Sequence, residues 1–276
     1  YLNVLDFIGN YEKAGKTPLL LGGEKSFREK RAGDYHDVEY PDDCIVDFDV
    51  RLIDLFKELD KKSLTVRERI RQEYDRVKEL LDGKIPTRMD LFTYMEHEVY
   101  QCCIRHTKEN PFRHYLEYLH SLNELSEEEE VLYAGIGKEF LTLIETTDMT
   151  KIYKMPILYT FYNHGNVLLE ITEDQVLACW KDFFDRNKNW RDFSDRITYE
   201  EYKNMTDKQH LAKAKTMPIK FLKASGKGFF IDKEGYALAI REDLRAVVKN
   251  DAFCEHMKDI LEYRTMDYYR RRYKGE

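Results

Sequence analysis

Apolar residues recur at helical spacing in residues 172–185. Thr172 precedes the run, and Gln175 three residues later completes the pattern of a capping box at a helix N-terminus. The apolar positions that follow are spaced i, i+1, i+4, i+7 and i+8: Val176, Leu177, Trp180, Phe183 and Phe184. This spacing places them on one face of a helix. We therefore predict an amphipathic helix that starts after Thr172.

A short helix and a short strand are predicted before this helix. Residues 152–161 carry apolar side chains at helical spacing, and Pro156 is tolerated because it falls in the first turn. Gly165 can take the left-handed conformation that ends a helix. Residues 167–171 are too few for a helix and are β-branched at both ends, which favours a strand.

A β-hairpin is predicted further along the chain. Two β-prone runs, residues 229–231 and 236–240, are joined by four residues that end in Gly235. In the second run, larger apolar residues alternate with alanines, which predicts one buried face: Tyr236, Leu238 and Ile240.

The other strongly periodic segments predict helices. One follows Thr65 and ends at Gly83, and the later ones start at Thr87, Ser126 and Asp251. The fold class is therefore mainly α with minor β. We predict a strand and linker in residues 1–62, a helical subdomain in 63–150, and a winged-helix-like module with a β-hairpin wing and a long C-terminal helix in 151–276.

Positive charge is concentrated between the central helix and the hairpin. Residues 207–228 contain six lysines and a single acid, Asp207, in a chain whose net charge is −7. The lysines are Lys208, Lys213, Lys215, Lys220, Lys223 and Lys227. Such a cluster is typical of a phosphate-binding surface, although it also occurs as a solvated face without a ligand. Pro218 is expected to divide the segment into two short helices.

Composition limits the protein class. Charged residues make up 35% of the chain, and the five cysteines are an odd number, which fits a reducing cytoplasm better than a disulfide framework. No apolar run has the length of a membrane span and no secretory signal is present, so we expect no membrane partner. The chain starts without methionine inside an apolar strand, from which we expect a fragment of a longer protein.

Three catalytic or metal-binding motifs are considered and rejected. Residues 14–17 (Ala-Gly-Lys-Thr) lack the earlier glycine of a phosphate-binding loop, and Pro18 follows where a helix should run. The acids after Pro41 lack the acid-x-Lys element of a metal-dependent nuclease. A zinc site would need adjacent cysteines to face one ion, but neighbours on a helix point about 100° apart. The residues in question are His97, Cys102, Cys103 and His106. We therefore predict no catalytic residue, no metal and no cofactor in this chain.

Several short segments resemble one helicase family. Residues 8–11 (Ile-Gly-Asn-Tyr), preceded by a strand that ends in Asp-Phe, resemble the region after the last ATPase motif of bacterial superfamily II DEAD/DEAH-box helicases. Residues 16–21, and residues 83–89 (Gly-Lys-Ile-Pro-Thr-Arg-Met), are similar to segments that follow in that family. Further similar segments are residues 153–158, 217–219 and 226–230. These landmarks are short, but together they extend over most of the chain.

This resemblance implies the C-terminal accessory region of an ATP-dependent DNA helicase, cut at the last strand of the second RecA-like lobe. ATP and magnesium would be bound by the missing lobes, which would also be partners. We expect the six lysines to hold duplex or single-stranded DNA without reading sequence. The alternative is a protein-interaction module that docks the helicase to a partner. An independent enzyme has no nucleophile motif in its support.

Overall fold

The computed structural model describes residues 64–106 and 108–273. The chain divides into two compact units, residues 1–73 and 74–276. The strand, linker and helicase-like segment predicted in residues 1–62 lie outside the described residues, so they stay predictions, as do the domain boundaries.

The described part of the chain is mainly helical, as predicted, with a small three-stranded antiparallel sheet. The α-helices are α1 Val66–Leu80, α2 Arg88–Tyr94, α3 His97–Arg105, α4 Tyr115–Ser121, α5 Glu127–Tyr133, α6 Ile136–Thr146, α7 Lys154–Tyr162, α8 Glu173–Asp185, α9 Tyr199–Lys203, α10 Asp207–Ala214, α11 Lys220–Ser225 and α12 Asp251–Arg272. A π-helical turn, Lys215–Ile219, joins α10 to α11. Short 3-10 helices occupy Pro111–Arg113, Asn163–Gly165, Asn189–Asp192, Glu242–Leu244 and Val247–Lys249.

The helix starts predicted from polar residues are confirmed. Thr87, Ser126 and Thr172 each cap a helix through a complete capping box, with the side chain accepting from the third backbone N–H of the helix. Helix α1 is followed by Asp82 and Gly83 in the left-handed region, at φ 55° and 82°. The predicted end of that helix at Gly83 is therefore also correct.

The sheet has the strand order β1–β3–β2, with all neighbours antiparallel. The strands are β1 Glu170–Ile171, β2 Phe230–Ile231 and β3 Leu238–Ile240. The hairpin is present, but the burial predicted for it is wrong at Tyr236, which is 42% exposed. Tyr236 belongs to a turn closed by a hydrogen bond from its N–H to the Lys233 carbonyl, so it lies before β3. Within β3, Leu238, Ala239 and Ile240 are all buried, so side chains on both faces of this strand are covered.

The hydrophobic core of the second unit combines residues of both the predicted helical subdomain and the predicted module. Phe140 of α6 packs against Phe229 and Phe230 at the hairpin and against Phe253 of α12. Helix α12 contributes several buried apolar side chains to this core, among them Phe253, Met257, Ile260, Leu261 and Tyr268.

A buried ion network joins α2, α6 and α12. The side chain of Arg88 is fully buried. Its guanidinium pairs with Glu145, and with Asp259 at 2.9 Å. The same group lies 4.7 Å from the ring centroid of Tyr115. Asp259 also accepts hydrogen bonds from the backbone N–H groups of Arg88 and Met89. One carboxylate thus fixes both the side chain and the backbone at the start of α2.

A second layer of polar groups surrounds this network. His256 lies with Nδ1 3.5 Å from Arg88 and Nε2 2.7 Å from the Glu129 carboxylate. Burial opposes ionisation of Glu129, but hydrogen bonds from His256 and Ser126 outweigh it and lower its pKa. Glu129, one of four glutamates in the first turn of α5, therefore connects α5 to α12.

We predict that Arg88→Met lowers the free energy of unfolding by about 3–5 kcal/mol, because it leaves two carboxylates buried without their cation. Arg245→Met removes an exposed ion pair with Glu242 and should leave the free energy almost unchanged. Urea unfolding of the full chain measures both. Equal midpoints for the two variants would contradict a structural role for Arg88.

Candidate nucleic-acid interface

Residues 207–228, here called the basic segment, form α10, the π-turn and α11. Thr206 and Gln209 make a capping box at its start. Pro218 lies in the π-turn, so the prediction that it divides the segment is confirmed. The missing N–H of a proline cannot complete an α-helical turn, and a wider turn accommodates it. Ala214, Ile219 and Leu222 are buried and hold the segment against the core.

The six predicted lysines fall into two groups. Lys208, Lys220 and Lys227 are exposed, and no ion pair or ring contact engages them within residues 64–106 and 108–273. Lys213, Lys215 and Lys223 are engaged by neighbouring elements. The structure therefore leaves three of the six predicted lysines available to a ligand.

The engaged lysines attach the basic segment to the rest of the unit. Lys215 pairs with Glu173 in the first turn of α8, and Lys223 pairs with Asp232 of the hairpin loop at 2.8 Å. Lys213 is half-buried and lies 5.2 Å from the ring centroid of Tyr153. Its pKa is lowered, first by burial and then by the charge of Lys151. Counting charges along the sequence missed these partners because Glu173 and Asp232 lie outside the segment.

The one acid of the basic segment is also neutralised. Asp207 accepts a hydrogen bond from Lys181 of α8 at 2.8 Å, and this contact lowers the pKa of its carboxyl. The negative charge of Asp207 is therefore largely balanced by Lys181, and the electrostatic potential around Lys208 stays positive.

A tight turn presents Lys227. Phe229 N–H donates to the Gly226 carbonyl at 2.8 Å, and Lys227 takes the left-handed conformation at φ 47°. This conformation costs a residue with a side chain about 1–2 kcal/mol. Lys227 thus adopts a backbone conformation that glycine would adopt without strain. Its side chain is exposed beside the hairpin.

The hairpin loop contributes little free positive charge. Residues 232–235 are exposed, but Lys233 pairs with Glu170 of β1 at 2.7 Å and Asp232 pairs with Lys223. Charge available for phosphates is therefore concentrated on the basic segment rather than on the loop.

Two apolar side chains are exposed among the lysines of the basic segment. Met217 and Phe221 are 38% and 48% exposed, and they lie four residues apart next to Lys220. A ring flanked by ammonium groups can stack on a base or pack against a protein.

Two further groups of side chains, in α3 and at the end of α12, have defined surroundings. Cys103 is buried, and no group of three or more His, Cys, Asp or Glu side chains suited to a metal occurs in the part of the chain that the structure describes. In the arginine run at the end of α12, Arg270 lies 4.0 Å from the ring centroid of Tyr100, and Arg271 pairs with Asp267 at 2.9 Å. Arg272 lies 3.6 Å from Asp192.

The chain matches no family model, no curated protein and no solved structure. The resemblance to the helicase family therefore stays a prediction. Among the described residues, no helix combines the length and the apolar character needed to cross a membrane.

The turn after α11 gives a stability prediction. A Cβ on Gly226 would overlap the Leu222 carbonyl oxygen and lie 2.6 Å from Phe230 Cδ2. We expect Gly226→Ala to lower the free energy of unfolding by about 1–3 kcal/mol, because backbone and a buried ring must move. Ser225→Ala, at an exposed neighbouring position, is the control for urea unfolding. A Gly226→Ala midpoint equal to that of the control would show that the turn is not constrained.

Proposed function

We propose that residues 151–276 form a winged-helix-like module that binds the phosphate backbone of DNA as the non-catalytic accessory domain of a helicase. The order α7, β1, α8, basic segment, β2, β3 supports the module, as does a sheet in which β3 lies between β1 and β2. In this arrangement the basic segment directly precedes the hairpin that would act as the wing.

The observation that carries the proposal is the set of three exposed lysines that form no ion pair with any residue the structure describes, in a chain of negative net charge. Lys208, Lys220 and Lys227 can each approach a phosphate without first breaking an ion pair. Each phosphate contact releases condensed counterions, so affinity should fall with salt. Lysine is a point charge on a flexible stem, which favours positioning over base reading.

The helicase context rests on the resemblance of residues 8–11 and 83–89. It implies that the RecA-like lobes of the parent protein are partners, that these lobes bind ATP and magnesium, and that the protein acts in the cytoplasm. The module itself supplies no step of ATP hydrolysis and serves to hold the nucleic acid.

Two charge-matched double variants test the DNA-binding proposal. The first replaces the unpaired Lys208 and Lys220 by glutamine, and the second replaces the paired Lys215 and Lys223. We expect the first to reduce the slope of log K against log salt by about 1.8 for duplex DNA, since each contact contributes about 0.9. The second should change the slope by less than half as much, because those ammonium groups are already neutralised.

Fluorescence anisotropy with short duplex and single-stranded DNA at several salt concentrations gives the slopes. Circular dichroism and the unfolding midpoint confirm that both variants fold. If the Lys208 and Lys220 variant kept the affinity and slope of the parent chain, DNA binding through the basic segment would be excluded.

The second candidate is a protein-interaction module, and the exposure of Met217 and Phe221 favours it. On this alternative, Phe221→Ala weakens binding to the RecA-like lobes at least fivefold and leaves DNA affinity unchanged. Calorimetric titration with the separately produced lobes measures the first effect, and Tyr199→Ala, an exposed aromatic on α9, is the control. Unchanged binding to the lobes would remove this candidate.

A further inference from the structure

A cleft of about 640 Å³ lies beside the basic segment, and its volume falls in the range of small-molecule sites, about 300–1,000 Å³. One side is formed by residues spaced three and four apart, which share a face of the helical path: Gln209, Ala212, Lys213 and Thr216. The other side is formed by the turn 193–197, which precedes α9. The exposed lysines of the proposed DNA contact do not line the cleft, so that contact does not account for it.

Three consecutive backbone N–H groups of this turn have no acceptor. Those of Ser194, Asp195 and Arg196 donate to no atom in the part of the chain that the structure describes. Arg196 also takes the left-handed conformation, at φ 65°. Successive N–H groups next to a left-handed residue are typical of the backbone concavities that bind anions.

Two cations line the cleft without an ion pair to any described residue. Arg196 is exposed, and Lys213 lies 5.2 Å from the ring centroid of Tyr153. The ring contact holds the ammonium group of Lys213 in place but carries no negative charge to neutralise it. Burial, and then the charge of Lys151, lower the pKa of Lys213, and the opposing effect of Asp195 is smaller than either. Negative charge is therefore in deficit around Lys213.

Gln209 adds a donor whose direction is fixed by the start of α10. Its Oε1 accepts hydrogen bonds from the backbone N–H and the hydroxyl of Thr206, at 2.8 and 3.0 Å. A backbone N–H has to meet an oxygen, so this contact assigns the orientation of the amide. The other end of the amide, Nε2, carries two hydrogens and donates to none of the described residues.

The two acids that line the cleft are already matched by donors. The Asp195 carboxylate lies 2.7 Å from Lys151 and 3.7 Å from Arg272. Glu201 accepts hydrogen bonds from the backbone N–H and the hydroxyl of Thr198, both at 2.8 Å, in the capping box of α9. These contacts lower the pKa of both carboxyls. The groups left without a partner are therefore mainly donors and positive charges.

This set of groups selects an anion with several acceptor oxygens. A phosphate monoester has three such oxygens and carries between about −1.5 and −2 charges at pH 7, which matches two cations without acid partners. A phosphodiester carries a single charge, and a carboxylate offers a single charge and two oxygens. The cleft has room for more than a phosphate group, and the partly buried Ile197 and Met205 supply apolar surface for an organic group attached to it.

We propose that this cleft binds the phosphate monoester of an organic molecule. The phosphate oxygens accept hydrogen bonds from Arg196, Lys213 and Gln209 Nε2 and from the N–H groups of the turn. Lys208, Lys220 and Lys227 take no part, so this site and the proposed DNA contact are tested separately and can fail separately.

Three matched probes test the ligand class on the full chain: thymidine 5′-monophosphate, its methyl ester and thymidine. We expect the monophosphate to bind about fivefold or more tightly than the methyl ester, which has one charge fewer, and thymidine not to bind. Saturation-transfer NMR at millimolar concentrations and neutral pH measures all three. Equal binding of the monophosphate and its methyl ester, or no binding of the monophosphate, overturns the proposal.

The end of a DNA strand is a second source of the same group. A short single strand with a 5′-phosphate is therefore compared with the same strand ending in a 5′-hydroxyl. Tighter binding of the phosphorylated strand, reversed by thymidine 5′-monophosphate, assigns the site to strand ends. Equal binding of the two strands, with the monophosphate still bound, assigns it to free small phosphates, and either result supports the site.

Glutamate variants locate the site. Gln209→Glu keeps an oxygen for the Thr206 cap, which a glutamate also supplies, but replaces the unpartnered amide group by an anionic oxygen. We expect this variant to weaken binding of the monophosphate about tenfold and to keep its unfolding midpoint. Gln175→Glu, the same substitution in the capping box of α8, lies outside the cleft and should bind normally.

A pair of lysine variants provides a second location test. Lys213→Gln removes a cation from the cleft and should weaken the monophosphate, whereas Lys215→Gln, two residues away, removes only the contact with Glu173 outside it. Unfolding midpoints show which variants are folded. Normal binding by both Gln209→Glu and Lys213→Gln, with normal midpoints, would refute the site.

Discussion

The buried guanidinium of Arg88 is the constraint on which the second unit depends. Its two carboxylate partners come from positions 57 and 171 residues away, in α6 and α12. A cation in a dry interior is tolerated only when its partners are fixed in place, so α2, α6 and α12 must assemble together. The hairpin follows from this, since Phe140 of α6 and Phe253 of α12 form the surface on which Phe229 and Phe230 pack.

The electrostatics of the proposed interface depend on pairs between elements that are distant in sequence. Glu173 and Asp232 each neutralise a lysine and at the same time attach the basic segment to α8 and to the hairpin loop. Lysines of the basic segment therefore have two roles: some attach the segment to its neighbours, and others are available to a ligand. Three lysines of the basic segment are held by neighbouring elements, and three have no ion pair or ring contact within residues 64–106 and 108–273.

Local signals in the sequence were sufficient for much of the fold. Capping boxes at Thr87, Ser126 and Thr172 depend on residues three positions apart, and the helices start where the spacing indicates. Contacts between distant residues could not be predicted in the same way. The role of Glu129 requires His256, and the exposure of Tyr236 depends on where β3 starts. The candidate interface shows the same limit, because the six lysines could be found by counting, but their division into free and paired groups could not.

The π-turn between α10 and α11 also controls rotation about the helix axis. The Lys220 N–H donates to the Lys215 carbonyl, five residues back rather than four. This inserts one residue into the helical path, and one residue corresponds to about 100° of rotation. Removing a single residue from the turn would rotate α11 by about that angle, and Leu222 could not stay buried while Lys220 and Phe221 stay exposed. The side chains that α11 presents to solvent are thus selected by the number of residues in one turn, and a deletion there would change the surface without altering any of those side chains.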